Sequence, residues 1–238
     1  MKQKINLRYL KYSDRYLDEM SSIWDRHIQS KEKLCELFSA IGSEEEKDLF
    51  LRIGVFYKYL IIEGSYRFSD KTLNVGMSYV DDTYKYIAIF SLIEALETPA
   101  KYNDFYQWLQ SKKDLSFPVD QKPKAVLDQK YQEYKKEYGS VRAAVRFFER
   151  LDNRDKATIG QKLQIRNKSV SLKEIAQLLY NLRSKFVHEA QFVLDFETAT
   201  SVGSHNGNIL VNKLTINDLR TLFERGFLKR FGWNANTQ

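Results

Sequence analysis

Apolar residues recur three and four positions apart through most of this chain, in runs bounded by Ser, Asp, Gly or Pro. That is the period of an α-helix with one buried face, and it leaves little of the chain for an extended sheet. Leu17, Met20, Ile23, Trp24 and Ile28 follow a helix start at Ser13-Asp14, and Leu34, Leu37, Phe38 and Ile41 continue to Gly42. Ser43-Glu44-Glu45-Glu46 has the form of a capping box, with acidic residues suited to the positive end of a helix. The helix it opens, through Leu49, Phe50, Ile53, Phe56, Tyr57 and Leu60, is expected to end near Gly64.

Ser65 to Gly76 is polar and interrupted by Asp and Asn, so it reads as a linker. It divides the chain into an N-terminal helical extension, residues 1–64, and a second domain, residues 76–238. In the second domain Tyr86, Ile89, Phe90, Ile93 and Leu96 mark a helix face that Thr98-Pro99 ends. Phe105, Trp108 and Leu109 suggest another helix, stopped before Phe117-Pro118. Pro123 suits the first turn of the next, which runs to Tyr138-Gly139. Val141, Ala144, Val145, Phe148 and Leu151 define a further helix, with Arg142, Arg146 and Arg150 in a row along one side. Ser171-Leu172-Lys173-Glu174 is a capping box for the best amphipathic helix, whose buried face is Leu172, Ile175, Leu178, Leu179, Leu182 and Phe186. Gly203 to Asn208 separates Phe192–Phe196 from Ile209–Val211, a pattern that predicts one small hairpin. Thr215 to Phe231 returns to helix. The fold class is mainly α.

No apolar run approaches the ~20 residues a membrane span needs, and Met1 to Asn6 has no apolar signal core. A cytoplasmic protein without a membrane partner is the expectation. The single cysteine, Cys35, excludes a disulfide within this sequence and reads as a small packed hydrophobe beside Leu34 and Leu37. The net charge of +7 is concentrated. Residues 121–190 hold 16 Lys and Arg against eight Asp and Glu, whereas residues 1–120 hold 17 against 19. A local excess of this kind is the electrostatic footprint of a polyanion binder, or else a solvated helix face.

That basic quarter contains Arg183 and His188, one of three histidines. A general acid/base near a permanently charged donor is the minimum equipment for cleaving a phosphodiester without a metal. His27 reads as a surface or capping residue, and His205 as a turn residue. With no paired-His spacing and no glycine-rich phosphate loop, no metal and no cofactor is expected. Five residues of helix place Arg183 and His188 about 140° apart. A site made from them therefore needs the helix to end between them, or a second copy meeting the first across a two-fold axis.

The string Leu179-Tyr180-Asn181-Leu182-Arg183-Ser184-Lys185-Phe186-Val187-His188 resembles the signature helix of HEPN domains, particularly the Apea-like subgroup. Arg183, Ser184 and His188 match the motif positions, and Ile89 to Glu97 is similar to the family's earlier helix. The resemblance covers roughly residues 76–235. It implies an antiparallel helical bundle and a metal-independent endoribonuclease, dimeric, often found in toxin–antitoxin or anti-phage defence with an antitoxin or defence-system partner. His188 would then move protons at the ribose 2′-hydroxyl or the leaving oxygen, Arg183 would hold the scissile phosphate, and Ser184 would orient either. Lys185, Arg142, Arg146 and Arg150 would hold flanking phosphates of the RNA. Glu189 stands where glycine often follows the histidine, and Ala190 where some members carry tyrosine. A non-catalytic HEPN module that binds RNA or a partner protein is the alternative. A purely structural helical domain joining other subunits, with Arg183 paired to Glu94 or Glu97, is a third.

Overall fold

The computed structural model describes residues 7–67, 76–97, 102, 104–112, 124–166, 168–189, 194–196, 200–205 and 207–233. The protein is mainly helical. In its first part come α1 (Ser13–Trp24), α2 (Lys31–Ala40) and α3 (Glu44–Tyr57), the last continued by a π-helical turn over Lys58–Ile62. Then follow α4 (Met77–Glu97), α5 (Phe105–Gln110), α6 (Lys124–Tyr138), α7 (Ser140–Arg150), α8 (Asn153–Lys162), α9 (Leu172–Glu189) and α10 (Ile216–Arg230).

The helix starts follow from side-chain caps that satisfy otherwise orphaned N–H groups. Ser43 Oγ accepts from the Glu46 N–H at 3.1 Å, and Asp104 Oδ1 from that of Gln107 at 2.8 Å. At α9 the box is reciprocal. The Glu174 N–H donates to Ser171 Oγ at 3.2 Å, and the Ser171 N–H donates to Glu174 Oε2 at 2.8 Å. Thr215 and Asp218 form the same arrangement at α10. The breaks read at Thr98-Pro99, Phe117-Pro118 and Pro123 lie outside the described residues, as do residues 68–75 of the linker.

One hydrophobic cluster runs from Leu17 of α1 to Phe231 beyond α10. Its centre is aromatic. Trp24 stacks on Tyr57 at 5.5 Å and on Phe227 at 5.0 Å, and Tyr57 stacks on Phe223 at 4.8 Å. The middle helix is α4, which packs against α3, α7, α9 and α10 and buries Tyr86, Ile89, Phe90, Ile93 and Leu96. A second, smaller cluster joins Trp108 and Leu109 of α5 to Tyr138 of α6.

The strands differ from the sequence reading. β1 (Leu163–Ile165), β2 (Ser201–His205) and β3 (Asn208–Asn212) form an antiparallel sheet in the order β1-β3-β2. The hairpin pairs 201–205, not 192–196, with β3. Its register closes with His205 opposite Asn208, a two-residue Asn-Gly connection in which Gly207 takes a left-handed φ of 76°. Residues 191–193 lie outside the described residues, and Phe196 is taken by the core, packing against Tyr86 at 4.9 Å. Buried Asn212 fixes the junction by donating to the carbonyls of Asp195 (2.9 Å) and Leu214 (3.3 Å).

Candidate functional site

Helix α9 positions the motif. Ile175, Ala176, Leu178 and Leu179 are buried, with Leu172, Leu182 and Phe186 partly buried against the same core. Burial of that stripe sets the rotation of the helix and so the direction of every other side chain on it. Buried Tyr86 of α4 donates its hydroxyl to the Leu179 carbonyl. Burial pushes its phenol far above the ordinary tyrosine range, so it remains a donor.

Arg183 points at α4. Its side chain is 15% exposed, Nη2 donates to Ser91 Oγ at 3.2 Å, and the same nitrogen lies 3.6 Å from Glu94 Oε2. Its Nε is buried with no acceptor among the described residues. The guanidinium also sits 5.8 Å from the Tyr180 ring centroid. Glu94 in turn accepts from the Ser140 hydroxyl at the start of α7. Arg183 is thus held by α4 through two polar partners.

His188 lies in the last turn of α9 and is exposed, as are Lys185 and Glu189. None of the three side chains has a hydrogen bond or ion pair among the described residues. Ser184 is half-buried. Ala190 lies outside the described residues. Within one chain, then, Arg183 faces α4 while His188 faces solvent further round the helix, and the two do not form one constellation.

The Arg142/Arg146/Arg150 row lies along α7 but differs in availability. Arg150 donates both guanidinium ends to buried Glu97 of α4, one of them at 2.8 Å. Arg146 donates to the carbonyls of Glu97 (2.8 Å) and Glu137 (3.0 Å). Arg142 has a looser ion pair with Glu149 at 3.7 Å. Two of the row are therefore engaged in holding the α4 C-terminus against α6 and α7.

Of the two partners on α4, sequence reasoning offered Glu94 as an alternative to Glu97 and left out Ser91. Ser91 and Glu94 are polar interruptions three residues apart in the otherwise apolar run Ile89 to Leu96, and that spacing was the available signal. It also misjudged His27. The His27 side chain is 7% exposed, and its Nε2 lies 2.8 Å from an oxygen of fully buried Glu224. Tyr57 and Arg26 donate to the other oxygen. Burial alone would raise the Glu224 carboxyl, but bonds from His27, Tyr57 and Arg26 hold it below the usual carboxylate range.

Two surface clefts lie elsewhere. One, of about 420 Å³, is lined by Gly160, Arg166, Lys168 and Val170, and another, of about 580 Å³, by Lys31, Cys35 and Ser39. Among the described residues no group of three or more His, Cys, Asp or Glu side chains is arranged to hold a metal ion, and no helix is long and apolar enough to cross a membrane. No protein-family model matches this chain, and no curated protein and no solved structure matches it.

Proposed function

We propose that this chain is a metal-independent endoribonuclease of the HEPN type, in which two copies bring their α9 ends together to complete the site. The observation that carries the reading is the contrast between its two motif residues. Arg183 is a fixed cation, braced by Ser91 and Glu94, while His188 is an exposed imidazole with no partner among the described residues. Phosphodiester cleavage needs one group of each kind: a placed positive charge and a base free to take and return a proton.

In the proposed reaction neutral His188 takes the proton of a ribose 2′-hydroxyl as that oxygen attacks the adjacent phosphorus. The 5′-oxygen of the next nucleotide leaves and receives a proton from imidazolium. The products are a 2′,3′-cyclic phosphate and a 5′-hydroxyl, and DNA, lacking the 2′-hydroxyl, is spared. Arg183 offsets the charge that builds on the phosphate oxygens, using donors left over from its Ser91 bond. Exposed Lys185 holds a neighbouring phosphate. A toxin or defence setting follows from the same reading.

The test is incubation with single-stranded RNA in EDTA, comparing the wild type with Arg183→Ala and His188→Ala. Loss of cleavage in both variants is expected, and equal activity in all three sinks the catalytic assignment. The non-catalytic alternative, a HEPN module that binds RNA or a protein, draws support from the Glu94 ion pair, which occupies Arg183 within its own chain. It predicts RNA retained and uncut in the same assay.

A further inference from the structure

The seam between α4 and α9 carries a second feature that the motif does not include. Tyr84 of α4 is 44% exposed. The Tyr66 ring stacks on it, with centroids 5.0 Å apart and planes 19° apart, and Phe186 of α9 meets it edge-on at 5.9 Å and 78°. Three aromatic rings thus form one surface, and its geometry is fixed from several directions. The Tyr66 N–H donates to Asp81 Oδ1 at 2.8 Å, and Lys85 holds the other Asp81 oxygen at 2.6 Å. The segment after the π-helical turn is thereby laid back along α4, and ring order does not depend on stacking alone.

The rings lie in line with the cation. Phe186 is three residues beyond Arg183, on the same side of α9, and Tyr84 is seven residues before Ser91, two turns away on the same side of α4. Those two turns separate the aromatic surface from the Arg183 anchor by about 10 Å along α4. Of the carboxylates on α4 and α9 near this stretch, Asp81, Asp82, Glu94 and Glu189, both Asp81 and Glu94 are paired with a cation, which limits the negative charge set against a polyanion. Single exposed aromatics are ordinary. A preformed group of rings beside a cation is what proteins use to hold unpaired bases.

We propose that Tyr84, backed by Tyr66 and Phe186, is a stacking platform for an unpaired base of single-stranded RNA whose phosphate lies at Arg183. The proposal rests on the RNA reading above and adds a residue-level account of how a flexible strand is held there. Stacking needs a ring and not a hydroxyl, and it tolerates any base, so the platform supplies affinity with little sequence preference.

The experiment is fluorescence anisotropy of a short labelled single-stranded RNA with the full chain, as wild type, Tyr84→Phe, Tyr84→Leu, Tyr66→Leu and Arg183→Ala. Circular dichroism confirms that each variant is folded. Leucine keeps an apolar side chain against Phe186 but removes the ring. Tyr84→Leu is expected to weaken binding about ten-fold, while Tyr84→Phe stays within about two-fold of wild type. If Tyr84→Leu fails to fold, Tyr66→Leu takes its place and must also weaken binding. Wild-type affinity in the Leu variants, alongside a loss in Arg183→Ala, overturns the platform and leaves the RNA reading standing. A wild-type chain that binds no single-stranded RNA overturns both.

Discussion

His27 Nε2 lies 2.8 Å from Glu224 Oε2, joining the end of the first helix to the last one across 197 residues of sequence. Tyr57, from α3, donates to the same carboxylate at 2.5 Å, and the Trp24 ring lies between Tyr57 and Phe227. The N-terminal helices are therefore tied to α10 by a buried carboxylate network set in an aromatic stack. Burying a carboxylate is tolerable only when its oxygens are satisfied, and here several donors serve them.

Removing Glu224 leaves those donors without an acceptor. Glu224→Ala is expected to cost about 3 kcal/mol or more, since breaking a buried charged network strands its remaining partners. The pH dependence follows from the lowered Glu224 pKa. A carboxyl held below its unfolded value stabilises the fold above about pH 4.5 and ceases to do so as pH falls through the folded value. Thermal melting from pH 7 to pH 3 checks this. The wild type is expected to lose stability more steeply below pH 4.5 than Glu224→Gln, and parallel curves refute the assignment.

Gly226 of α10 shows a different constraint. A Cβ there would lie 2.4 Å from the ring of buried Phe147 in α7. Alanine is the better helix former, so an open site would gain stability from Gly226→Ala. The ring removes that gain, and roughly 1–3 kcal/mol of destabilisation is expected from overpacking. Urea unfolding of Gly226→Ala, alone and with Phe147→Leu, measures it. The double variant should recover part of the loss, and additive losses would locate the strain elsewhere.

At the start of α9 the exposed Glu174 carboxyl is pushed down to about 2 by the Ser171 N–H, by Lys168 and by the Ser171 hydroxyl. Its ionised form closes the capping box, so the first turn of α9 should hold above about pH 4.5 and fray as pH falls toward 2. Amide exchange of residues 172–175 against pH reports this directly. Ser171→Ala is expected to cost about 1 kcal/mol by chemical denaturation.

These cases show what kind of information the chain displays in one dimension. The Ser171 cap and the Ile175, Leu178, Leu179 stripe of α9 are local signals at helical spacing, and the helix lies where they place it. Helix α8 was not read because Ile159 and Asp155 are its only buried residues, too few to make a period. The choice between Glu94 and Glu97 as partner of Arg183 was open in sequence. The fold decides it, because α7 brings Arg146 and Arg150 onto Glu97 and leaves Glu94 facing Arg183. The aromatic surface at Tyr84 depends on a segment folding back along α4, which no residue pattern announces. Likewise His27 and Glu224 look unremarkable apart and acquire meaning only as neighbours.

The angular separation of Arg183 and His188 on one helix gives the site its sharpest test. If catalysis needs Arg183 of one copy and His188 of another, each single variant should lose activity by on the order of 10²-fold or more. A co-expressed mixture of Arg183→Ala and His188→Ala chains should then regain activity. Half of its dimers are mixed, and each mixed dimer keeps one of two cross-axis pairs intact, so recovery on the order of a quarter of wild type is expected. A site formed within one chain predicts no recovery, because every chain in the mixture lacks one group. Single-turnover cleavage of a defined RNA, with dimer composition checked by native mass spectrometry, separates the two. Recovery without dimers, or dimers without recovery, rejects the shared site.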